Sequence, residues 1–305
     1  MMLNRTLNGL MLLFVLQVIL FSLYYFFENR EIKTATEMKE EHSLHALVLW
    51  EKIAPQFQRI KYTLKTPKPK NPFIVISPKK VEDIVALEKQ KVKPILYTNS
   101  IPLTPLSIPE KKKTFINMML PSILLAKYKV KLEREKLLKL AAKPYLTHKD
   151  RAWLKEKRTE YKAKDYVALY KAMELHPTSL IIAQAIVESG WGTSKFFQKA
   201  NNVFGIWSFD PKERRMVAGE KRGNKRIYLK KYETLVESIH DYFLTIAKNS
   251  NYKSFREKRL QTQDPMVLIN YLDKYSELGK AYIKNIKNII KVNKLSRYDD
   301  YQLAL

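Results

Sequence analysis

The chain has 305 residues with 56 Lys plus Arg against 30 Asp plus Glu, a formal net charge of +26, and 46% hydrophobic residues. That much apolar material supports one sizeable core and excludes wholesale disorder. The absence of cysteine excludes disulfide scaffolds, zinc fingers, iron–sulfur clusters and thiol nucleophiles.

Between Arg5 and Glu28 lie 22 uncharged residues, and 9–27 is almost continuously apolar, with Gln17 and Ser22 as the polar interruptions. At about 1.5 Å per residue this run forms a helix of roughly 28 Å, close to the ~30 Å hydrocarbon core, and predicts a transmembrane anchor over 9–27. Tyr24, Tyr25, Phe26 and Phe27 form an aromatic end at the far headgroups, and Arg5 marks the cytoplasmic flank, so the rest of the chain is expected outside. A cleaved signal peptide would have a shorter apolar region ending in small residues.

Residues 30–60 are polar and read as helical, and a Pro-rich connector follows: eight of the chain's 14 prolines fall between Pro67 and Pro109. Within it, Phe73 to Ile76 and Ile95 to Tyr97 are short apolar runs that read as isolated strands or docking patches. From Thr114 the period becomes helical, with Ile116, Leu120, Ile123 and Leu124 on one face. Further helices are predicted near 150–160, at 164–175, and from Leu180 to Glu188, opened by Thr178 and Ser179. The last is nearly continuously apolar, so it is expected as a buried central helix.

A short helical turn at Ser194 to Lys199 and an extended segment from Val203 to Phe209 follow, and 210–232 reads as a small β-hairpin around Gly219 and Gly223. Helices then resume: Leu235, Ile239, Tyr242, Phe243 and Ile246 share one face, Asp264-Pro265 starts another helix, and Tyr282, Ile283, Ile286, Ile289 and Ile290 form a last core stripe. The fold class is therefore mainly α with one small β-lobe. The boundaries are 9–27 anchor, 28–113 juxtamembrane helix and connector, 114–295 domain and 296–305 tail.

The strongest chemical signal is Ala185-Ile186-Val187-Glu188-Ser189-Gly190-Trp191-Gly192, where a carboxylate ends a greasy helix. Desolvation there disfavours the ionised form and raises the pKa, the condition for a general acid near neutral pH. Gly190 and Gly192, two of five glycines clustered at 190–223, let the chain turn sharply beside it. A helix-end carboxylate facing solvent or paired with Lys is the ordinary alternative for such a residue.

Gln184 to Gly192, followed by Asn201-Asn202-Val203-Phe204-Gly205-Ile206-Trp207, resembles the glucosaminidase domain of peptidoglycan hydrolases (glycoside hydrolase family 73), and more narrowly the Bax-like proteins of Gram-negative bacteria. Asn251 to Arg256 and Tyr275 to Ile283 extend the resemblance, which spans roughly 115–295. It implies a lysozyme-like domain with a cleft between a helical lobe and a small β-lobe. It further implies an endo-β-N-acetylglucosaminidase that cuts peptidoglycan glycan strands after N-acetylglucosamine; with the anchor at 9–27 the domain is expected on the periplasmic side of the inner membrane, and no cofactor is expected.

By the same resemblance Glu188 matches the catalytic acid and Tyr275 a tyrosine near it. Trp191, Phe204 and Trp207 fall where aromatics could stack on sugars or simply fill core, and Asn202 is expected to shape its loop through backbone bonds, with a sugar contact as its second role. A second carboxylate, as base or nucleophile, is sought among Asp210, Glu213 and Glu220, with Glu220 preferred near the hairpin tip. Glu213, between Lys212 and Arg214, reads as an ion pair. The substrate's 2-acetamido group is the alternative nucleophile, and a catalytically silent glycan-binding protein or a muramidase or lytic transglycosylase are the competing functions.

Near the site, positive charge is densest at 212–231, with nine basic and two acidic residues, which reads either as a field that helps attract an anionic polymer or as a Lys-rich solvated surface. Nucleic acid is not the expected partner, since no zinc, helix-turn-helix or aromatic-basic strand signature appears. The five His (42, 45, 148, 176, 240) lack ligand spacing beyond the pair at 42 and 45, so no metal site is expected.

Overall fold

The computed structural model describes Ser43, Leu44, Leu47 and residues 73–305, apart from residues 223 and 224 and the side chains of 220–225. The anchor expected at 9–27 lies outside the described residues, as does nearly all of the juxtamembrane helix. Among the described residues no helix is long and apolar enough to cross a membrane.

Nine α-helices and six short strands organise the described chain. Helix α1 (Ile108–Ala141) is the longest, and it starts six residues before the expected Thr114. The reason is local: Ser107 caps it, with the Glu110 carboxylate accepting from the Ser107 N–H at 3.2 Å, and Pro109 sits in the first turn. These signals carry no hydrophobic period, so periodicity alone starts the helix too late.

Helices α2 (His148–Glu160), α3 (Tyr166–Ala172), α4 (Thr178–Ser189) and α5 (Lys195–Ala200) follow. Thr147, Asp165 and Ser194 each accept a backbone N–H from the first turn of α2, α3 and α5. The hairpin is present as antiparallel β4 (Arg215–Arg222) and β5 (Lys225–Lys230), with a register irregularity between Val217 and Lys221. The segment from Val203 to Phe209, expected extended, makes one bridge, from Trp207 to Leu229. Helices α6 (Leu235–Lys248), α7 (Lys253–Arg259), α8 (Pro265–Leu268) and α9 (Lys280–Val292) complete the helical set.

Helix α4 is the buried axis. Leu180, Ile181, Ile182, Ala183, Gln184, Ala185 and Ile186 are all at most 2% exposed, and each large apolar side chain removed from water contributes roughly 1.5–3 kcal/mol. Helices α1 and α9 and the 3-10 turn at Leu295–Asp300 pack around it. The predicted faces of α6 and α9 point inward: Leu235, Ile239, Tyr242, Phe243 and Ile246, and Tyr282, Ile286 and Ile290, are buried.

Two expected boundaries need correction. Within the segment read as a connector, β1 (Ile74–Ile76) and β3 (Ile95–Tyr97) pair in parallel with each other, and Val92, Ile95, Tyr97, Ile101 and Leu103 belong to the same core as α4. Residues 296–305, expected as a tail, also pack in. Tyr298 is buried, Asp299 accepts from the Ser179 N–H and hydroxyl at 2.7 Å each, and β6 (Gln302–Leu303) runs parallel to β2 (Lys91–Val92). The physical reason is that two-residue and three-residue strands become stable only against partners distant in sequence, which local pattern does not reveal.

At the end of α4, Gly190 (φ +59) and Gly192 (φ +75) take left-handed conformations. A Cβ on Gly192 would lie 2.8 Å from Leu103, 3.0 Å from Phe197 and 3.1 Å from Phe115. Gly192→Ala is therefore expected to cost about 2–4 kcal/mol through combined backbone strain and overpacking, read as a lowered midpoint in urea. An unchanged midpoint would show that the turn opens freely.

Candidate active site

Glu188 is the penultimate residue of α4 and half-buried at its carboxyl end. The Tyr282 hydroxyl, from the start of α9, donates to its Oε1 at 3.0 Å. Burial outweighs this bond and moves the Glu188 carboxyl from its ordinary 4.5 up to about 7. The group is thus poised to hold a proton at neutral pH and still release it, which is the behaviour of a general acid. The turn after it is tied down from both sides: Ser189 Oγ donates to the Ala185 carbonyl at 2.6 Å and accepts from the Gly192 N–H at 3.0 Å.

Four tyrosine rings gather around this carboxylate, and its negative charge is felt by Tyr242, Tyr252, Tyr275 and Tyr282, all of whose hydroxyls burial pushes above the usual range. Tyr275, the tyrosine singled out from the sequence, stacks on Tyr282 with centroids 5.6 Å apart and 20° between planes. The direct hydrogen bond to Glu188 comes from Tyr282, which the sequence reading places in a core stripe and within the Tyr275 to Ile283 stretch without assigning it a role. A signal for it is present: Gln184 interrupts an otherwise apolar run one helical turn before Glu188, and a buried amide must find polar partners. Tyr282→Phe removes the donor to the carboxylate and is expected to raise the Glu188 titration midpoint by about one unit above its starting value of about 7. An unmoved midpoint in ¹³C NMR of the carboxyl would show that this bond is not formed in solution.

The other predicted site residues separate by burial. Phe204 is 5% exposed and stacks on Tyr242 at 4.2 Å, so its ring is core and has no face left for a sugar. Asn202 shapes its loop as expected. Its Nδ2 donates to the Ile206 and Lys230 carbonyls at 3.0 and 2.9 Å, and its Oδ1 accepts from the Ile206 N–H at 2.9 Å. At 1% exposure this amide is spent on the backbone rather than on a ligand.

Trp191, at φ +57, is half-buried, edge-on to Phe115 at 5.7 Å, with the Lys112 ammonium 5.1 Å from its ring centre. It walls a cavity of about 440 Å³ that also holds Lys112, Lys113 and Arg297 and has no acidic lining residue. Trp207 is 38% exposed and lies 6.1 Å from Phe209, itself 82% exposed, so the pair presents aromatic surface that the sequence pointed to only at Trp207.

Of the candidate second carboxylates, Glu213 forms an ion pair, but with Lys230 at 3.3 Å rather than with the flanking Arg214, which pairs with Glu233, and Asp210 caps the Lys212 N–H at 2.9 Å. Glu220 lies in β4, two residues before its end, and its side chain is outside the described residues. Among the described residues no cluster of His, Asp or Glu could hold a metal ion.

Residues 163–295, less than half of the chain, match the family model described as mannosyl-glycoprotein endo-β-N-acetylglucosaminidase. The matched stretch contains Glu188, Tyr275, Tyr282 and the whole hairpin. Among curated relatives, the chain is 27% identical over 186 residues to protein Bax of Escherichia coli, covering 56% of this chain and 66% of that one. It is 30% identical over 132 residues to exo-glucosaminidase LytG of Bacillus subtilis, covering 37% of this chain and 46% of that one. The chain thus spans less than two thirds of the length of either relative. Among solved structures, it is similar to the catalytic domain of the autolysin Auto from Listeria monocytogenes, at 22% identity and a TM-score of 0.35, covering 55% of this chain and 97% of that one. A peptidoglycan hydrolase from Sphingomonas sp. A1 matches at 19% identity and a TM-score of 0.34, covering 46% of this chain and 92% of that one.

Proposed function

We propose that the protein hydrolyses the β-1,4 glycan backbone of peptidoglycan after N-acetylglucosamine, with Glu188 as the general acid. The observation that carries this reading is the carboxyl of Glu188, half-buried at the end of α4, hydrogen-bonded at one oxygen and raised to about 7. In cleavage, that carboxyl protonates the bridging oxygen as the bond to the departing sugar breaks, and the oxocarbenium-like centre is captured from the opposite face. Tyr275 supports the acid indirectly through its stack on Tyr282. Glu220, on the hairpin, is the carboxylate proposed for the second role, as base or nucleophile. The substrate's own 2-acetamido group fills that role if Glu220 does not reach the cleft.

Trp207 with Phe209, and Trp191 beside its basic cavity, are the surfaces proposed to hold the glycan. Peptidoglycan stems carry carboxylates, and the three cations at the cavity suit them. The apolar run at 9–27 is proposed to anchor the chain in the inner membrane with the domain on the periplasmic side.

The test is incubation of the full chain in detergent with purified peptidoglycan, followed by mass spectrometry of the released fragments. Reducing-end N-acetylglucosamine supports the proposal, and kcat/KM should fall as pH rises through about 7 as the acid loses its proton. Anhydro-muramyl ends would make the protein a lytic transglycosylase. Binding to peptidoglycan without fragments would make it a silent glycan-binding protein.

A further inference from the structure

Glu188 is the end of a longer buried chain of hydrogen bonds. His176 Nε2 lies 2.8 Å from the Tyr242 hydroxyl, which donates to Gln184 Oε1 at 2.7 Å. Gln184 Nε2 donates to the Tyr282 hydroxyl at 3.1 Å, and Tyr282 donates to Glu188 Oε1 at 3.0 Å. His176, Gln184, Tyr242 and Tyr282 are each at most 1% exposed, so water does not compete for these bonds.

The direction of the chain follows from counting protons. A hydroxyl has one to donate, and Tyr242 spends its own on Gln184, so His176 must donate to Tyr242 from Nε2. The separations agree with this orientation of the amide: 2.7 Å on the oxygen side is an O–H···O distance and 3.1 Å on the nitrogen side an N–H···O distance. Held this way, Gln184 cannot accept from Tyr282, and the Tyr282 proton has Glu188 as its partner. The far end is locked too. His176 packs edge-on against Tyr242, Phe243 and Phe255, and burial keeps its imidazole neutral.

We propose that Gln184 and Tyr242 are positioning residues for the acid: by orienting the Tyr282 hydroxyl they keep Glu188 Oε1 as an acceptor, so that the acid proton is carried on Oε2. This rests on Glu188 being the acid, and it adds which oxygen delivers the proton and what enforces the choice. Losing the Tyr242 hydroxyl leaves Gln184 Oε1 without its donor. The amide then becomes a rival acceptor for the Tyr282 proton, and Glu188 loses its bond although nothing beside it has changed. The groups whose hydroxyls feel the Glu188 charge are Tyr242 on α6, Tyr252 in the 3-10 turn before α7, Tyr275 in the turn before α9, and Tyr282 on α9. All stay neutral through the range in which the acid titrates, so a shift in its midpoint reports the bond.

The experiment is a double-mutant cycle on the full chain in detergent, labelled with ¹³C at the Glu carboxyl, with the Glu188 signal assigned by its loss in Glu188→Gln. Tyr242→Phe keeps the ring that stacks on Phe204 and is expected to raise the Glu188 midpoint by about half a unit or more. In the Tyr282→Phe background the same change should shift it by less than about 0.2 unit, because the effect passes through Tyr282. If Tyr242→Phe does not fold, Gln184→Met removes the N–H that orients and polarises the Tyr282 hydroxyl without leaving a rival acceptor, so a smaller rise is expected, again only where Tyr282 is present. Equal shifts in both backgrounds, or no shift in either while the melting temperature falls, would overturn the proposal and leave these residues a purely structural role. The titration needs no turnover, so it stands or falls apart from the proposed activity. Where fragments are released, Tyr242→Phe should lower kcat several-fold with KM unchanged within about twofold.

Discussion

Glu188→Gln is expected to abolish release of peptidoglycan fragments and yet yield a more stable protein at neutral pH. Gln keeps an oxygen to accept from Tyr282 but has no proton to give, so only the chemical step is lost. General acid catalysis contributes about 10²–10⁴-fold, and kcat should fall by at least about a hundredfold with substrate binding retained. The stability change follows from the carboxyl's displacement from 4.5 in the unfolded chain to about 7 in the fold. Below 4.5 both states hold the proton and the carboxyl costs nothing. Between 4.5 and 7 the unfolded chain ionises first, so wild-type stability declines as pH rises, and above 7 the penalty is complete, at roughly 3 kcal/mol. Gln has no such penalty. Urea unfolding at pH 4, 6 and 8 should therefore show the gap between variant and wild type widening with pH, while a constant gap would mean the carboxyl is not desolvated. An active Glu188→Gln would remove the acid from the mechanism altogether.

Asn201→Ala is expected to destabilise the fold even more than Gly192→Ala, by about 3–5 kcal/mol. Asn201 caps α5 in the left-handed region at φ +51, which Asn tolerates better than Ala. Its side chain clamps three segments far apart in sequence. Oδ1 accepts from the Ser100 N–H at 3.0 Å, and Nδ2 donates to the carbonyls of Thr98, Tyr232 and Glu233 at 3.0, 3.1 and 3.2 Å. Alanine would strand a buried N–H and weaken the join between the β3 segment, the loop carrying Asn202, and the start of α6. The check is a denaturation midpoint combined with proteolysis of the 73–107 segment, which should be cut faster in the variant. A loss under about 1 kcal/mol with unchanged proteolysis would show that water replaces these bonds at little cost.

The contrast between the neighbouring Asn201 and Asn202 marks the limit of what local sequence encodes. The pair is legible as part of a motif, and turn chemistry correctly assigns Asn202 to loop shaping. That Asn201 reaches back a hundred residues to Ser100 is not legible, because nothing local marks its partner. Phe204 and Trp207 make the same point from the other side. Both are aromatic, three residues apart beside one motif, yet one stacks in the core on Tyr242 and the other faces solvent.

The sequence by itself determined the helical class, the order of the main helices, the hairpin, and the carboxylate at the end of a buried helix. Each of these depends on local chemistry: hydrophobic period, capping residues, paired glycines in left-handed turns, and the desolvation of a Glu set among Ile, Val and Trp. Tertiary structure alone decided that the two short apolar runs of the Pro-rich stretch pair with each other, that the last ten residues join the core, that Tyr282 is the residue bonded to Glu188, and that Gln184 links it to Tyr242 and His176. Those outcomes rest on pairings across roughly 60 to 210 residues of chain, whose closure is repaid only when the whole core assembles.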